Sequence, residues 1–414
     1  MTGRARPRFF SLPNRARGAG ASVPRERAGV ARRTARDRIG PARGPGVVGL
    51  VAGLVLAAGT GCAHGGARSS AAAGDDARKV EMDKVVVRAG DDPLTGLDGY
   101  DALQLFELGN EKYEAGDFEV ATRIYERLLE EFPESDLAAQ TAYNLGLAHE
   151  QLANFEGAAE AFRHVVVDHP DAESRKPAHF RLAFAYSKLE RWEELADTFW
   201  AARQLDLKPL EELEARVGTG VGFFMQEDYA SAEREFLRAL GFFEEHADKQ
   251  FLPADYFIGQ SRFYLGEIYA RWFEEKELSE PNGDAEVWAE AMGDELEQKC
   301  RLLLRAQNNF IRTIRVGHTG WATAAGYRIG SLYEILYDQL TDLPVPPELE
   351  GEARRVYVEE VQKKVSVLVV KAIKVYEMSL EMAERVGESN EWVERTNRSL
   401  ERMKTLYRSE MLDT

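Results

Sequence analysis

From Asp101 onward, apolar residues recur three and four positions apart, in stretches separated by short polar turns such as "EAGDF" (114–118) and "QLANF" (151–155). That spacing puts the apolar side chains on one face of an α-helix, so each pair of stretches predicts two amphipathic helices folded back on one another. The pattern also repeats. Gly109, Gly146, Ala183 and Gly220 are 37 residues apart, and so are Phe118, Phe155, Trp192 and Tyr229. Ala121, Ala158, Leu195 and Ala232 form a third column, and Tyr125, Phe162, Phe199 and Phe236 a fourth. Four columns in register over four units describe a helical-hairpin array, in which each unit buries its apolar face only against its neighbours.

The columns have a mechanical reading. Gly109 and Ala121 belong where the two helices of a hairpin cross, because small side chains let the backbones approach. The aromatic residue four positions after the alanine, Tyr125 in the first unit, is expected to fill the gap toward the next unit. Pro133 and Pro170 should stop the second helices, since an interior proline loses a hydrogen bond and clashes with the preceding turn. "PESD" and "PDAES" offer Ser or Asp caps to the helices that follow. Beyond residue 245 the pattern loosens. "YLGEIY" (264–269) and "RIGSLY" (328–333) each read as a first helix, while Ala306 with Phe310 and Ala372 with Tyr376 place the second helices late. Inserts are expected over 273–298 and 340–364, and a helix over 392–406 is expected to cap the array with a polar outer face. The fold class is all-α, with about six hairpins and a terminal helix.

These residues resemble the tetratricopeptide repeat (TPR): Leu108-Gly109, Ala121, Tyr125 and Pro133 match its motif in place and spacing, with a period of 37 in place of the usual 34. The resemblance implies a right-handed solenoid with a concave groove lined by its first helices. Groove positions then fall on Phe106, Asn110 and Tyr113 in the first unit, Tyr143 and Asn144 in the second, and Phe180 and Arg181 in the third. Asparagine amides there can hold an extended peptide backbone, aromatic rings supply apolar surface, and Arg181 can take a carboxylate bidentately. Asn110, Asn144 and Arg181 match three of the five positions of carboxylate-clamp TPRs. The clamp's two lysine positions hold Phe106 and Pro177, so a different and more apolar ligand is expected.

The first 62 residues are of another kind. They contain twelve Arg, no Lys, and only Glu26 and Asp37 as acids, leaving 41 basic and 68 acidic side chains, a net of −27, in the rest of a 414-residue chain whose total is −17. An acidic body lacks the cationic surface that nucleic-acid binding requires. After the basic lead, "VVGLVAGLVLAA" (47–58) supplies an apolar run too short for the roughly 20 residues of a membrane-spanning helix, but of signal-peptide length. "AAGTGC" resembles the lipobox of bacterial lipoproteins, which makes Cys62 the lipidated residue, with Gly59 standing where the family usually has an aliphatic side chain. The Gly, Ala and Ser-rich stretch that follows reads as a flexible tether. The organisation expected is therefore a signal over 1–62, a linker over 63–98, four regular units over 99–245, and two irregular units with a cap over 246–414. The layout resembles TPR lipoproteins of the Gram-negative envelope, deltaproteobacterial ones in particular. It implies a protein lipid-anchored at the periplasmic face of the outer membrane, with secretion into the periplasm as the alternative.

Catalytic patterns do not compete with this reading. His164, Asp168 and His169 in "HVVVDHP" straddle a helix end without further ligands, so no metal is expected. "VGTGVG" (217–222) lacks the strand before it and the Gly-Lys-Ser/Thr after it that a phosphate loop needs. No cofactor, small-molecule substrate or enzymatic activity is expected. The function expected is a non-catalytic scaffold for protein or peptide partners in an envelope complex. The alternatives are a helper subunit of an envelope enzyme, of a motility or secretion machine, or a cytosolic adaptor if the chain is not exported.

Overall fold

The paired periodicity is realised as helix after helix in a computed structural model that describes residues 94, 96–247, 255–281 and 285–412. The signal, Cys62 and nearly all of the tether lie outside the described residues. The helices are α1 (Ala102–Glu114), α2 (Phe118–Glu131), α3 (Ala138–Gln151), α4 (Phe155–Asp168), α5 (Arg175–Lys188), α6 (Trp192–Ala202), α7 (Pro209–Met225), α8 (Tyr229–Ala247), α9 (Asp255–Glu275), α10 (Ala285–Val316), α11 (Thr319–Thr341), α12 (Gly351–Val386) and α13 (Glu391–Leu412). Each packs on the next, making six sequential hairpins and a terminal helix, an all-α TPR-like solenoid. Odd-numbered helices also touch one another from hairpin to hairpin: α1 with α3, α7 with α9, α9 with α11, and α11 with α13. The odd helices therefore form the inner layer of the stack.

The turn inside each of the first four hairpins is the same device. Gly116, Ala153, Glu190 and Glu227, 37 apart, all have left-handed φ values, of 80°, 55°, 56° and 65°. The amide of the residue after each donates back to the first helix: Asp117 to Lys112 O, Asn154 to His149 O, Arg191 to Tyr186 O and Asp228 to Phe223 O. This is a Schellman closure, which satisfies carbonyls the helix end would otherwise leave bare. Only the first unit uses glycine there. Glu190→Gly should raise stability by about 0.5–1 kcal/mol, because a Cβ in this conformation is strained, and Gly116→Ala should lower it by a similar amount. Urea midpoints of the two variants, shifted in opposite directions, check this.

The aromatic column packs differently from the expectation. A Cβ built on Gly146 would stand 2.5 Å from Phe162, one on Gly220 2.8 Å from Phe236, and one on Gly266 2.5 Å from Phe310. Gly109 with Tyr125 and Gly330 with Tyr376 are closer still. The ring thus lies over the glycine of its own hairpin, because the missing Cβ opens a slot only a flat ring fills. The third unit departs: Ala183 occupies the slot, and Phe199 leans onto Gly218 of the following hairpin. The "VGTGVG" run is packing surface within α7, with Gly222 against Ala196 and the Trp192 carbonyl.

Pro133 and Pro170 directly follow the C-caps of α2 and α4. The caps expected from "PESD" and "PDAES" do not form. Leu137 and Ser174 occupy the N-cap positions with right-handed helical backbone (ψ −10° and −11°), an orientation that turns the side chain away from the helix's open amides, and neither makes a side-chain cap bond. The two inserts are also largely helix. α10 runs 32 residues and α12 runs 36, against 21 and 23 for their partners α9 and α11. The start of α10 is held by the segment before it, where Ser279 N and Oγ donate to the Glu295 carboxylate at 2.7 and 2.6 Å and Trp288 Nε1 donates to Ser279 O at 2.9 Å. Lys299, fully buried, donates to the α9 carbonyl of Phe273 at 2.6 Å and to Lys276 O, and burial pushes its ammonium down to about 8.

The core is not evenly divided. One cluster runs without a break from Leu213 in α7 to Met403 in α13. The first hairpins are held by smaller ones: Ala142 to Ala215, then Ala121, Tyr125, Leu145, Ala148 and Ala161, then Leu97, Leu105, Ile124 and Leu128.

Candidate functional site

All seven groove positions read from the sequence lie on α1, α3 and α5, the inner helices of the first three hairpins, and all are half-buried. Asn110 and Asn144 meet. Asn110 Oδ1 accepts from Tyr125 Oη at 2.7 Å and from Asn144 Nδ2 at 2.9 Å, and Asn144 Oδ1 accepts from Gln140 Nε2 at 3.0 Å. The two amides are thereby locked across a hairpin boundary, because the tip of the ring that fills the Gly109 slot reaches the inner surface.

Tyr113, Tyr143 and Arg181 gather around a carboxylate that no sequence motif marks. Glu150, at the end of α3, accepts from Arg181 Nη1 through Oε2 at 2.9 Å, with its side chain only 6% exposed against 20% for the arginine. Its other oxygen, Oε1, is buried without a hydrogen-bond partner. Glu150 occupies the column of Tyr113, 37 positions on, so carrying that column forward would have found it. Burial raises the Tyr113 and Tyr143 phenols, with Arg181 pulling both down and the Glu150 charge pushing both up, so both stay neutral. Phe106 and Phe180 are not part of this cluster. Phe106 packs beside Leu105 and Ile124 at the start of the array, and the Phe180 ring stands edge-on to Phe199 at 5.9 Å.

Burial pushes the Glu150 carboxyl from 4.5 up to about 7, against the pull of Arg181. The folded state therefore keeps the proton to higher pH than the unfolded chain. The stability from this proton is complete below about pH 4.5 and is lost as pH rises through about 7. Relative to Glu150→Gln, the wild type should lose on the order of 3 kcal/mol between those limits. Urea unfolding at half-unit pH steps checks this, and parallel curves for the two proteins would refute it.

The pairing of Glu150 with Arg181 is one of a series. Inner helices are tied by carboxylate–guanidinium contacts again at Glu267 and Glu274 with Arg328, and at Glu334 and Asp338 with Arg402. Among the described residues, no group of three or more His, Cys, Asp or Glu is placed to hold a metal ion, and no helix is long and apolar enough to cross a membrane.

Residues 106–173 match the family described as tetratricopeptide repeat. No curated protein matches the chain. Similar solved structures include a tetratricopeptide repeat protein from Parabacteroides merdae, at 13% identity over 73% of this chain and 98% of that one, with a TM-score of 0.34. A TPR repeats protein from Bacteroides fragilis is 14% identical over 65% of this chain and 99% of that one, at 0.32. PilW, described as a widely conserved type IV pilus biogenesis factor, is 17% identical over 62% of this chain and 98% of its own, at 0.33. The fold is defined by the helix packing itself. Residues 106–173 thus carry tetratricopeptide repeats, and the helices before and after them continue the same hairpin packing as a TPR-like array.

Proposed function

We propose that this chain is a non-catalytic adaptor of the bacterial cell envelope, anchored through a lipidated Cys62 at the periplasmic face of the outer membrane. An extended segment of an envelope protein lies along α1, α3 and α5. The observation that carries the binding half of this reading is the polar strip on those helices, where Asn110 is bonded to Asn144 and Glu150 to Arg181 across successive hairpins. Such fixed polar groups, flanked by half-exposed Tyr113, Tyr143 and Phe180, bind a backbone without reordering. The anchor is supported by the apolar run ending in "AAGTGC" and by the Gly, Ala and Ser-rich tether after it.

The test combines palmitate labelling and membrane fractionation, for wild type and Cys62→Ala, with a photo-cross-linking residue placed at the exposed position 177 on α5. The expected result is label and membrane association that both vanish in Cys62→Ala, with cross-links to envelope proteins. Unlabelled, cytosolic wild-type protein would sink the anchor. An unreactive position 177 would sink the groove.

A further inference from the structure

Two carboxylates occupy the same place in their hairpins and are completed differently. Glu150 and Glu334 each lie four residues after the slot glycine, Gly146 and Gly330. In the sixth hairpin the slot ring is Tyr376, whose hydroxyl donates to Glu334 Oε1, while Arg402 Nη1 donates to Oε2 at 2.8 Å. Both oxygens are satisfied. In the second hairpin the slot ring is Phe162, which has no hydroxyl, and Glu150 Oε1 is left without a donor although its side chain is 94% buried, the complement of its 6% exposure. A buried carboxylate oxygen with no partner is costly, and a donor brought from outside removes that cost.

We infer that Glu150 Oε1 is the acceptor for a lysine ammonium carried by the bound peptide, so that the groove selects a cationic side chain rather than a carboxylate. The inference rests on the peptide groove proposed above. Three features favour a slim ammonium. The Asn110 carbonyl is already doubly bonded. Arg181, the side chain suited to a ligand carboxylate, is paired with Glu150. Tyr113 and Tyr143, both within reach of the Glu150 charge, place two neutral phenols beside it, neither of which competes with an ammonium for the carboxylate's charge. Because Oε1 lies beneath the surface, the ammonium enters as one of these half-buried rings turns aside.

The probe is an array of N-acetylated random decapeptides, which offers ammonium groups only on lysine, read with the purified full chain. Wild type should retain lysine-bearing peptides preferentially. Glu150→Gln removes the charge, and Phe162→Tyr supplies the hydroxyl that Tyr376 supplies elsewhere. Each should erase the preference and weaken the best lysine peptide about 10-fold in fluorescence anisotropy, with circular dichroism melts confirming both folds. Peptides retained without regard to lysine, or a preference surviving in Glu150→Gln, would overturn this inference and leave the groove standing. A preference lost in Glu150→Gln but kept in Phe162→Tyr would overturn the assignment to Oε1. Retention of no peptide at all by wild type would overturn the groove and this inference together.

Discussion

Gly266→Ala is expected to lower stability by about 3 kcal/mol, far beyond an ordinary helical substitution. The new Cβ would stand 2.5 Å from Phe310 Cε1 and 2.7 Å from its Cδ1. Phe310 cannot give way, since it is fully buried and its ring lies 5.5 Å from that of Phe263. Gly241, within α8, has nothing within 4 Å of the same construction. Gly241→Ala should therefore stabilise by about 0.5–1 kcal/mol, through reduced freedom of the unfolded chain. The opposite signs separate contact from propensity. Adding Phe310→Leu to Gly266→Ala should recover more than 1 kcal/mol of the loss in a double-mutant cycle, measured by urea unfolding. Strict additivity would mean the ring does not occupy the slot.

Arg328→Met should cost about 3–5 kcal/mol by stranding the Glu267 carboxylate and leaving Glu274 only its 3.5 Å pairing with Arg271. The guanidinium donates to Glu267 through Nε, to Glu274 at 2.9 Å through Nη2, and to Ser331 Oγ at 3.1 Å. Its side chain is 12% exposed, with Glu267 at 5% and Glu274 at 21%, so water cannot replace it. In the variant, burial without its counter-charge should make one carboxyl hold its proton to higher pH in the folded state, and the deficit should shrink as pH falls toward the ordinary carboxylate range. Combining Arg328→Met with Glu267→Gln should restore much of the loss at neutral pH. A deficit that is flat with pH, and that the second substitution leaves unrepaired, would show that the arginine acts by packing alone.

The regular hairpins were legible because a slot glycine and its ring are chemically distinctive and recur at one interval. The extended starts of α10 and α12 were not. Residues 351–356 are exposed on every side, so no apolar stripe marks them as helix, and an unpatterned helix reads as an insert. The ring's direction is not legible for a related reason. Spacing places Tyr125 and Phe162 on the packing face of their helix but does not say whether their own hairpin or the next one lies beneath. Of the proposed groove, the aromatic and asparagine positions are read from the columns, whereas Glu150 is hidden by its residue type. A glutamate near a helix end normally faces water, and only the neighbouring hairpin's Arg181 brings it inside.

The uneven core gives the molecule a graded compliance. From α7 onward one continuous cluster joins every hairpin, while the first three hairpins, where we propose the groove, are joined by separate small ones. In a stack stabilised by nearest-neighbour interfaces, the weaker interfaces open first. A pull transmitted through a bound segment would therefore bend the first three hairpins against a stiff C-terminal block. The grip would then behave as a spring mounted on a rigid stock, tightening or slackening with the curvature of its own inner helices.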